Sequence, residues 1–194
     1  MSAIYLLPLG NADRTLVEGL CSPVRETFHA SVEIMDVHID LAPFYDESRV
    51  QFNSTQILQY LRRNHCIGGL TEARSTPSPK LLAILPQDLF IPILTYVFGE
   101  AELDGSVAVI SYYRLMSERY GLPQDRNLLA ARLRKEAVHE LGHVYGLIHC
   151  AAQQCVMHTS TYVEDIDLKG DRFCVECEGA LTHRHSSKSH GRSA

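Results

Sequence analysis

One short stretch of the sequence carries side chains that together can bind and use a metal ion. His139 and His143 are four positions apart, so on a helix they lie one turn apart on one face and can share an ion. Glu140 lies about 100° further around the helix axis, where it can reach a water on the ion without becoming a ligand. Gly146 can end the helix, because glycine adopts a positive φ without a Cβ clash, and the chain can then bring His149 to the same ion.

This arrangement is typical of catalytic zinc. Three histidine ligands leave the fourth position of a tetrahedral zinc ion open, whereas structural sites fill all four. The short pattern His-Glu-x-x-His also occurs on solvated helix faces without any metal, but its continuation through Gly146 to His149 is a signature of zinc metalloproteases. We therefore predict that His139, His143 and His149 bind a catalytic zinc ion.

A second group of metal-binding side chains follows directly. Its four cysteines are Cys150, Cys155, Cys174 and Cys177. Their spacing suits a closed tetrahedral zinc site with four thiolate ligands, and two disulfides are the alternative.

The N-terminus bears on this choice, because it indicates the compartment. The first 14 residues have no basic segment, and their short apolar run is interrupted by Pro8, so we expect no secretory signal and a cytoplasmic protein. In a reducing compartment the four cysteines favour metal over disulfides, and Cys21 and Cys66 are expected to be isolated thiols.

The cysteines extend the histidine stretch into a longer pattern. A cysteine follows the third histidine, a Cys-x-Met segment ends at Met157, and a Cys-x-x-Cys pair closes the pattern. Over residues 139–177 this pattern resembles the archaemetzincins, a family in the metzincin clan of zinc peptidases, with a weaker likeness at residues 97–101. The resemblance implies that Met157 forms the methionine turn of that clan and that Glu140 is the general base.

The resemblance also implies two sets of ligands and two zinc ions per chain. The catalytic ion would be held by His139, His143 and His149. The structural ion would be held by Cys150, Cys155, Cys174 and Cys177. The implied activity is a zinc-dependent metallopeptidase, which hydrolyses peptide bonds with zinc-activated water and Glu140 as general base.

Composition agrees with one small enzyme. The chain has 194 residues, of which 45% are hydrophobic, so it can bury the core of a single domain. Its formal net charge of -5 and the lack of a dominant basic cluster indicate no nucleic-acid or membrane partner. No apolar run approaches the roughly 20 residues that span a bilayer. The expected partner is a peptide or small protein substrate.

The elements that position these residues can be read from apolar periodicity. Strands are predicted at residues 4–9, 32–41 and 81–85. Helices are predicted from Asn11 or Asp13 to about His29, and after Asn53 or Ser54. This β-α-β-α order predicts mostly parallel pairing. Residues 68–80 have the Gly, Pro and polar composition of an exposed loop.

A hairpin and a long helix are expected to form the site itself. Residues 94–98 and 106–111 flank residues 99–105 as the arms of a predicted hairpin. One arm is the candidate sheet edge for binding substrate by strand addition, although an ordinary edge without ligand is the alternative. A helix is predicted over residues 125–145, with Asp125 as N-cap and an apolar face to bury.

The predicted fold class is α/β (α+β) and metzincin-like: a twisted mixed β-sheet packed on a long active-site helix, with a small irregular zinc-stabilised C-terminal subdomain. We expect one catalytic domain over residues 1–181, with an upper part at 1–146 and a lower part at 147–181. Residues 182–194 are polar and predicted to be a disordered tail.

Two other functions use the same pattern. One is a zinc amidohydrolase of small amides, and the other is a zinc-stabilised binding module without activity. The intact carboxylate of Glu140 argues against the binding module, because a structural site has no use for it. A residue that stabilises the oxyanion is also expected, and Tyr162 is one candidate, with an ordinary surface tyrosine as the alternative.

Overall fold

The structure is a computed structural model that describes residues 3–64 and 78–190, with side chains up to residue 183. The strands are β1 Ala3–Pro8, β2 Ser31–Ile34, β3 Tyr45–Asp46, β4 Gln51–Asn53, β5 Lys80–Leu85, β6 Leu89–Phe90, β7 Gly99–Ala101 and β8 Val107–Ser111. The α-helices are α1 Arg14–Glu18, α2 Cys21–Phe28, α3 Ser54–Asn64, α4 Arg126–Val144, α5 Val163–Leu168 and α6 Val175–His190. Short 3-10 helices span Ala42–Phe44, Tyr113–Leu115 and Ser117–Tyr120.

The main sheet is mixed, as predicted. Its strand order is β2-β1-β5-β8-β7, and a separate small sheet has the order β3-β4-β6. Strand β1 runs parallel to both β2 and β5, and β5 runs parallel to β8, so the expected parallel pairing is confirmed. Among the strands that the structure describes, only β7 runs antiparallel in the main sheet, where it pairs with β8.

Both faces of this sheet are covered. In β5, Leu82 and Ile84 face one apolar cluster with α1, α2 and α4, while Leu81, Ala83 and Leu85 face a second cluster with α3. A parallel strand with both faces buried has a continuous apolar sequence, as β5 does. The predicted apolar face of α4 lies in the first cluster; its residues are Leu129, Leu133, Ala137, Leu141 and Val144. This packing fixes α4 against the sheet.

Two N-terminal elements differ from the prediction. The helix expected to run to His29 is divided into α1 and α2 by a turn at Gly19 and Leu20. The second strand ends at Ile34 rather than at residue 41. Its last ladder bond runs from the Met35 amide to the Leu6 carbonyl at 2.8 Å. The next donor on that side of β1 would come from Pro8, which has no N–H, so the pairing stops there.

The hairpin is present, but its first arm is displaced. Strand β7, not residues 94–98, pairs with β8, with Gly99 opposite Ile110. The prediction that one of the two arms, residues 94–98 or 106–111, forms the sheet edge is wrong, because residues 106–111 lie between β5 and β7 and the edge strand is β7. Asp104 turns the chain with a φ of 52°, and the Glu102 carboxylate accepts a hydrogen bond from the Ser106 amide.

The C-terminal region is more regular than predicted. Helices α5 and α6 replace the expected irregular structure, and α6 continues to His190 where a disordered tail was expected. Residues 175–190 contain one glycine and no proline, so nothing in them interrupts a helix.

The division of the domain into two parts at residue 146 stays a prediction. Cys66 and most of the predicted loop at 68–80 lie outside the described residues. No helix in the described part of the chain is long and apolar enough to cross a membrane.

Candidate metal centres

Helix α4 presents the histidine stretch as the sequence predicts. Its N-terminus is capped by Asp125, whose carboxylate accepts a hydrogen bond from the Leu128 amide at 2.9 Å. At the other end Gly146 has a φ of 89°, and its amide donates to the His143 carbonyl at 2.8 Å. The left-handed residue reverses the chain and brings His149 back towards the helix.

The three histidines converge on one point. Their ligand nitrogens all lie within 4.8 Å of one another, and the Nε2 atoms of His139 and His143 are 3.1 Å apart. Nδ1 of His139 lies 2.8 Å from the Val156 carbonyl, and Nδ1 of His143 lies 2.8 Å from the Leu147 carbonyl. A carbonyl accepts only, so Nδ1 carries the proton and Nε2 keeps its lone pair. The rings of His139 and His143 therefore fit a zinc ion shared through Nε2, with a ring nitrogen of His149 as the third ligand.

The environment favours the neutral imidazoles that bind metal. Burial lowers the pKa of His139 well below its usual value, and the Lys169 charge adds to this effect. Burial also lowers the pKa values of His143 and His149. Protons therefore compete less with a metal ion at neutral pH than they would at exposed histidines.

Glu140 lies beside the histidines, against the edge strand. A Cβ atom on Gly99 would lie 2.8 Å from the Cγ atom and 2.9 Å from the Oε1 atom of Glu140, so only glycine leaves room for this carboxylate. Burial, then the nearby Glu136 carboxylate, raises the pKa of Glu140 well above its usual value. Gly99 lies in the stretch of weaker likeness at residues 97–101, but no local pattern in the sequence indicates its contact with Glu140.

Met157 packs directly beneath the helix. Its side chain is fully buried, and a Cβ atom on Gly142 would lie 2.5 Å from its sulfur. The Cys150 amide donates a hydrogen bond to the Met157 carbonyl at 2.9 Å. The turn at Met157 therefore supports both the middle of the histidine stretch and the chain that follows its third histidine.

The four predicted cysteines form a second cluster. Their sulfur atoms lie within 4.8 Å of one another, and those of Cys150 and Cys174 are 3.8 Å apart. All described cysteines, including Cys21, are free. A disulfide joins sulfurs at about 2.05 Å and in pairs, whereas four sulfurs around one point fit a tetrahedral ion. A hydrogen bond from the Cys177 amide lowers the pKa of Cys174 to about 7, while burial raises that of Cys177.

A cleft of about 650 Å³ opens above the histidines. Its upper wall is formed by β7 and the residues before it, and its lower rim by residues 159–162. Tyr162 lies in this rim and is 63% exposed. Tyr96 lines the cleft too, but its hydroxyl donates to the Thr161 carbonyl at 2.8 Å. Several wall residues are apolar: Ile91, Leu94, Val97, Leu103 and Ile148.

Two charged residues that the sequence analysis missed also line the cleft. The Lys169 ammonium lies 2.9 Å from a Glu136 carboxylate oxygen, and both side chains are buried. Glu136 is one turn before Glu140 on the same helix face, and this spacing in the sequence indicates that Glu136 lies near the site. Nothing in the sequence around Lys169 indicates that it reaches this helix.

Known proteins share this sequence and architecture. The model of peptidase family M54 matches residues 43–183. An archaemetzincin from Methanocaldococcus jannaschii is 38% identical over 181 residues, covering 93% of each chain. The crystal structure of archaemetzincin from Archaeoglobus fulgidus superposes with a TM-score of 0.74 at 36% identity, covering 91% of this chain and 98% of that one.

A second solved structure agrees. A zinc-dependent peptidase from Methanocorpusculum labreanum gives a TM-score of 0.81 at 28% identity, with 92% of this chain and 99% of that chain covered. The matches span nearly the whole length of these relatives, so they concern the complete domain and not a shared fragment. The chain belongs to peptidase family M54, the archaemetzincins, and is a zinc metallopeptidase that hydrolyses peptides.

Proposed function

We propose that the histidine cluster is the catalytic centre of this metallopeptidase, with a catalytic zinc ion on His139, His143 and His149 and with Glu140 as general base. The observation that carries the proposal is the convergence of three imidazoles at the floor of the cleft, with their ligand nitrogens within 4.8 Å of one another and next to a buried carboxylate. A bound zinc ion supplies polarisation of the substrate carbonyl and a lower pKa for its water.

The carboxylate of Glu140 then handles the proton. It accepts one from the attacking water and delivers it to the nitrogen of the departing amine. A base works best when its pKa lies near the working pH, and burial moves Glu140 in that direction. Gly99 allows the carboxylate to lie at this place, because any larger residue there would put a Cβ atom too close to the Glu140 side chain.

The edge strand is proposed to hold the substrate. Within the described residues β7 pairs with β8 on one side only, so its other side can add an extended peptide as a further strand. Because Gly99 lies against Glu140, a peptide bound along β7 passes the carboxylate. The apolar wall favours apolar side chains in this peptide. Tyr162, at the rim, stays the candidate for stabilising the oxyanion.

The four cysteines are proposed to hold a second, structural zinc ion. All four positions would be filled by thiolates, which leaves none for substrate. Cys150 follows His149 directly, so this ion would also fix the chain at the third histidine. The family assignment favours the peptidase over the small-amide hydrolase and over the inactive binding module. A cytoplasmic location stays a prediction from the sequence.

The test is cleavage of a diverse peptide library by zinc-loaded protein, compared with the Glu140→Gln variant. We expect cleavage next to apolar residues in wild type, and a rate lower by roughly 10² to 10⁴ in the variant, with its zinc content unchanged. Loss of zinc from Glu140→Gln would show that Glu140 is a ligand and not the base. Equal rates in the two proteins would refute the proposed mechanism.

A further inference from the structure

An ion pair that the proposed mechanism does not use lies buried at the floor of the cleft. The Lys169 ammonium and the Glu136 carboxylate are 2.9 Å apart, and their side chains are 0% and 4% exposed. Every other ion pair among residues 3–64 and 78–183 has at least one partner that is about a third exposed or more. Buried ion pairs are often no more stabilising than apolar residues of the same size, so the fold alone does not require these charges.

The pair connects the two parts of the candidate site. Glu136 precedes His139 and Glu140 on α4 by one turn and lies on their side of the helix. Lys169 directly follows α5, between the second and third cysteines of the thiolate cluster. Residues 163–171, here called the docked segment, also contact α4 through the bidentate ion pair of Arg132 with Asp167. Attachment of the segment therefore does not depend on Lys169 alone.

The third histidine lacks the support that the first two have. His139 and His143 each donate through Nδ1 to a backbone carbonyl. Among the described residues no hydrogen-bond partner is found for the ring of His149, which is exposed. Its position must therefore be set by the backbone at His149 and Cys150.

A path of hydrogen bonds leads from Lys169 to that backbone. The Lys169 ammonium lies 3.4 Å from the His158 carbonyl, in addition to its contact with Glu136. Nδ1 of His158 lies 3.0 Å from the Cys150 carbonyl and can only donate to it. The Cys150 amide in turn donates to the Met157 carbonyl. The path therefore runs from helix α4 to the backbone of Cys150, the residue that follows the third histidine.

We infer that Glu136 and Lys169 are positioning residues for the third zinc ligand, acting through His158. Glu136 fixes the ammonium of Lys169, Lys169 fixes the backbone of His158, and the His158 ring fixes the carbonyl next to His149. The inference rests on the proposed ligand set of three histidines. Residues that orient metal ligands in this way typically change metal affinity by 10- to 100-fold when they are replaced.

The experiment interrupts the path at two places in the full-length protein. His158→Phe removes the donor to Cys150 and leaves the ion pair intact. Glu136→Met with Lys169→Met removes both buried charges together, which avoids the unpaired charge that either single variant would leave. The matched control is Arg134→Met, which breaks the half-exposed pair with Asp171 on the same helix and the same docked segment.

Two quantities are measured in each variant, the thermal midpoint and the affinity of the histidine site for Co²⁺. The thiolate site is kept loaded with Zn²⁺, so the d–d absorption of added Co²⁺ reports the histidine site, and sulfur-to-metal absorption would reveal any Co²⁺ that enters the thiolate site. We expect His158→Phe and the double variant to keep near-native midpoints but to bind Co²⁺ at the histidines at least 10-fold more weakly. Arg134→Met should match wild type in both quantities.

The opposite results are equally defined. Native affinity and an unchanged d–d spectrum in both His158→Phe and the double variant would show that the ion pair has no role in positioning. An equal loss of Co²⁺ affinity in Arg134→Met would show that the effect comes from the docking of the whole segment on α4 and not from the path through His158. Wild-type protein that binds no Co²⁺ at the histidines would instead refute the ligand set itself, and with it the proposed function.

Discussion

Gly99→Ala tests whether the edge strand holds the carboxylate of Glu140 in place. The added Cβ atom would lie 2.8 Å from the Glu140 Cγ atom, 2.9 Å from its Oε1 atom and 2.9 Å from the Val109 carbonyl oxygen. Carbon atoms in contact are ordinarily about 3.5 to 4.0 Å apart, so the Glu140 side chain must withdraw by roughly 1 Å. The Val109 oxygen belongs to the backbone of the paired strand β8, so Gly99 and its strand must also shift slightly away from it.

The size of the effect follows from that displacement. A misplacement of about 1 Å in a catalytic group can reduce the rate by about 10²-fold, which is about 2.7 kcal/mol in the activation free energy. Overpacking should in addition lower the unfolding free energy by about 1 to 3 kcal/mol. The zinc ligands are not touched by the new methyl group, so the zinc content should stay unchanged.

The assay is the rate of peptide cleavage at saturating substrate, with the zinc content measured on the same sample. Gly179→Ala is the matched control, because a Cβ atom there meets nothing within 4 Å and glycine is a poor helix former. We expect the control to be as active as wild type and slightly more stable. A folded, zinc-loaded Gly99→Ala protein with the native rate would refute the reasoning, because Glu140 would then not depend on the space at Gly99.

Two further predictions concern stability. Cys177→Ser should lower the thermal midpoint strongly and weaken zinc binding at the histidines, because a thiolate zinc contributes on the order of 10 kcal/mol against a total stability of about 5 to 15 kcal/mol; calorimetry with metal analysis checks this, and a native midpoint with both ions bound would contradict it. Protein that keeps zinc at the cysteines but has an empty histidine site should lose stability as the pH falls below 6.5, because burial lowers the folded-state pKa values of His139, His143 and His149, so the unfolded chain binds protons first. The raised pKa of Glu140 acts in the opposite direction, since its contribution is lost as the pH rises, so Glu140→Gln should steepen the loss at low pH. Thermal midpoints of wild type and Glu140→Gln at pH 7.5 and 5.5, each with zinc at the cysteines and an empty histidine site, check this, and midpoints that rise on acidification would contradict it.

The sequence predicts the histidine cluster well because the geometry is local. The spacing of His139 and His143 and the two helix ends at Asp125 and Gly146 follow from helix periodicity and from the conformational freedom of glycine. The same reasoning predicts parallel pairing of the first strands. In the histidine cluster the residues that decide the structure lie within a few positions of one another, and the parallel pairing follows from the order of neighbouring elements.

The parts that were missed depend on contacts between distant residues. Gly99 matters because Glu140 lies against it, and Lys169 matters because Glu136 lies opposite it, yet neither contact has a signal in local periodicity. The displaced hairpin arm has a similar cause. Residues 94–98 are apolar because they line the cleft or the core, and that burial was interpreted as strand periodicity.

The central claim is that zinc is bound by the three histidines next to an unligated Glu140. Anomalous diffraction at the zinc absorption edge, from crystals of zinc-loaded protein, tests it most directly. The account predicts two peaks per chain, one within bonding distance of a ring nitrogen of each of His139, His143 and His149, and one at the four cysteine sulfurs, with the Glu140 carboxylate close to the first ion but not bound to it. No peak at the histidines of fully loaded protein, or a direct bond from Glu140 to the ion, would contradict the account.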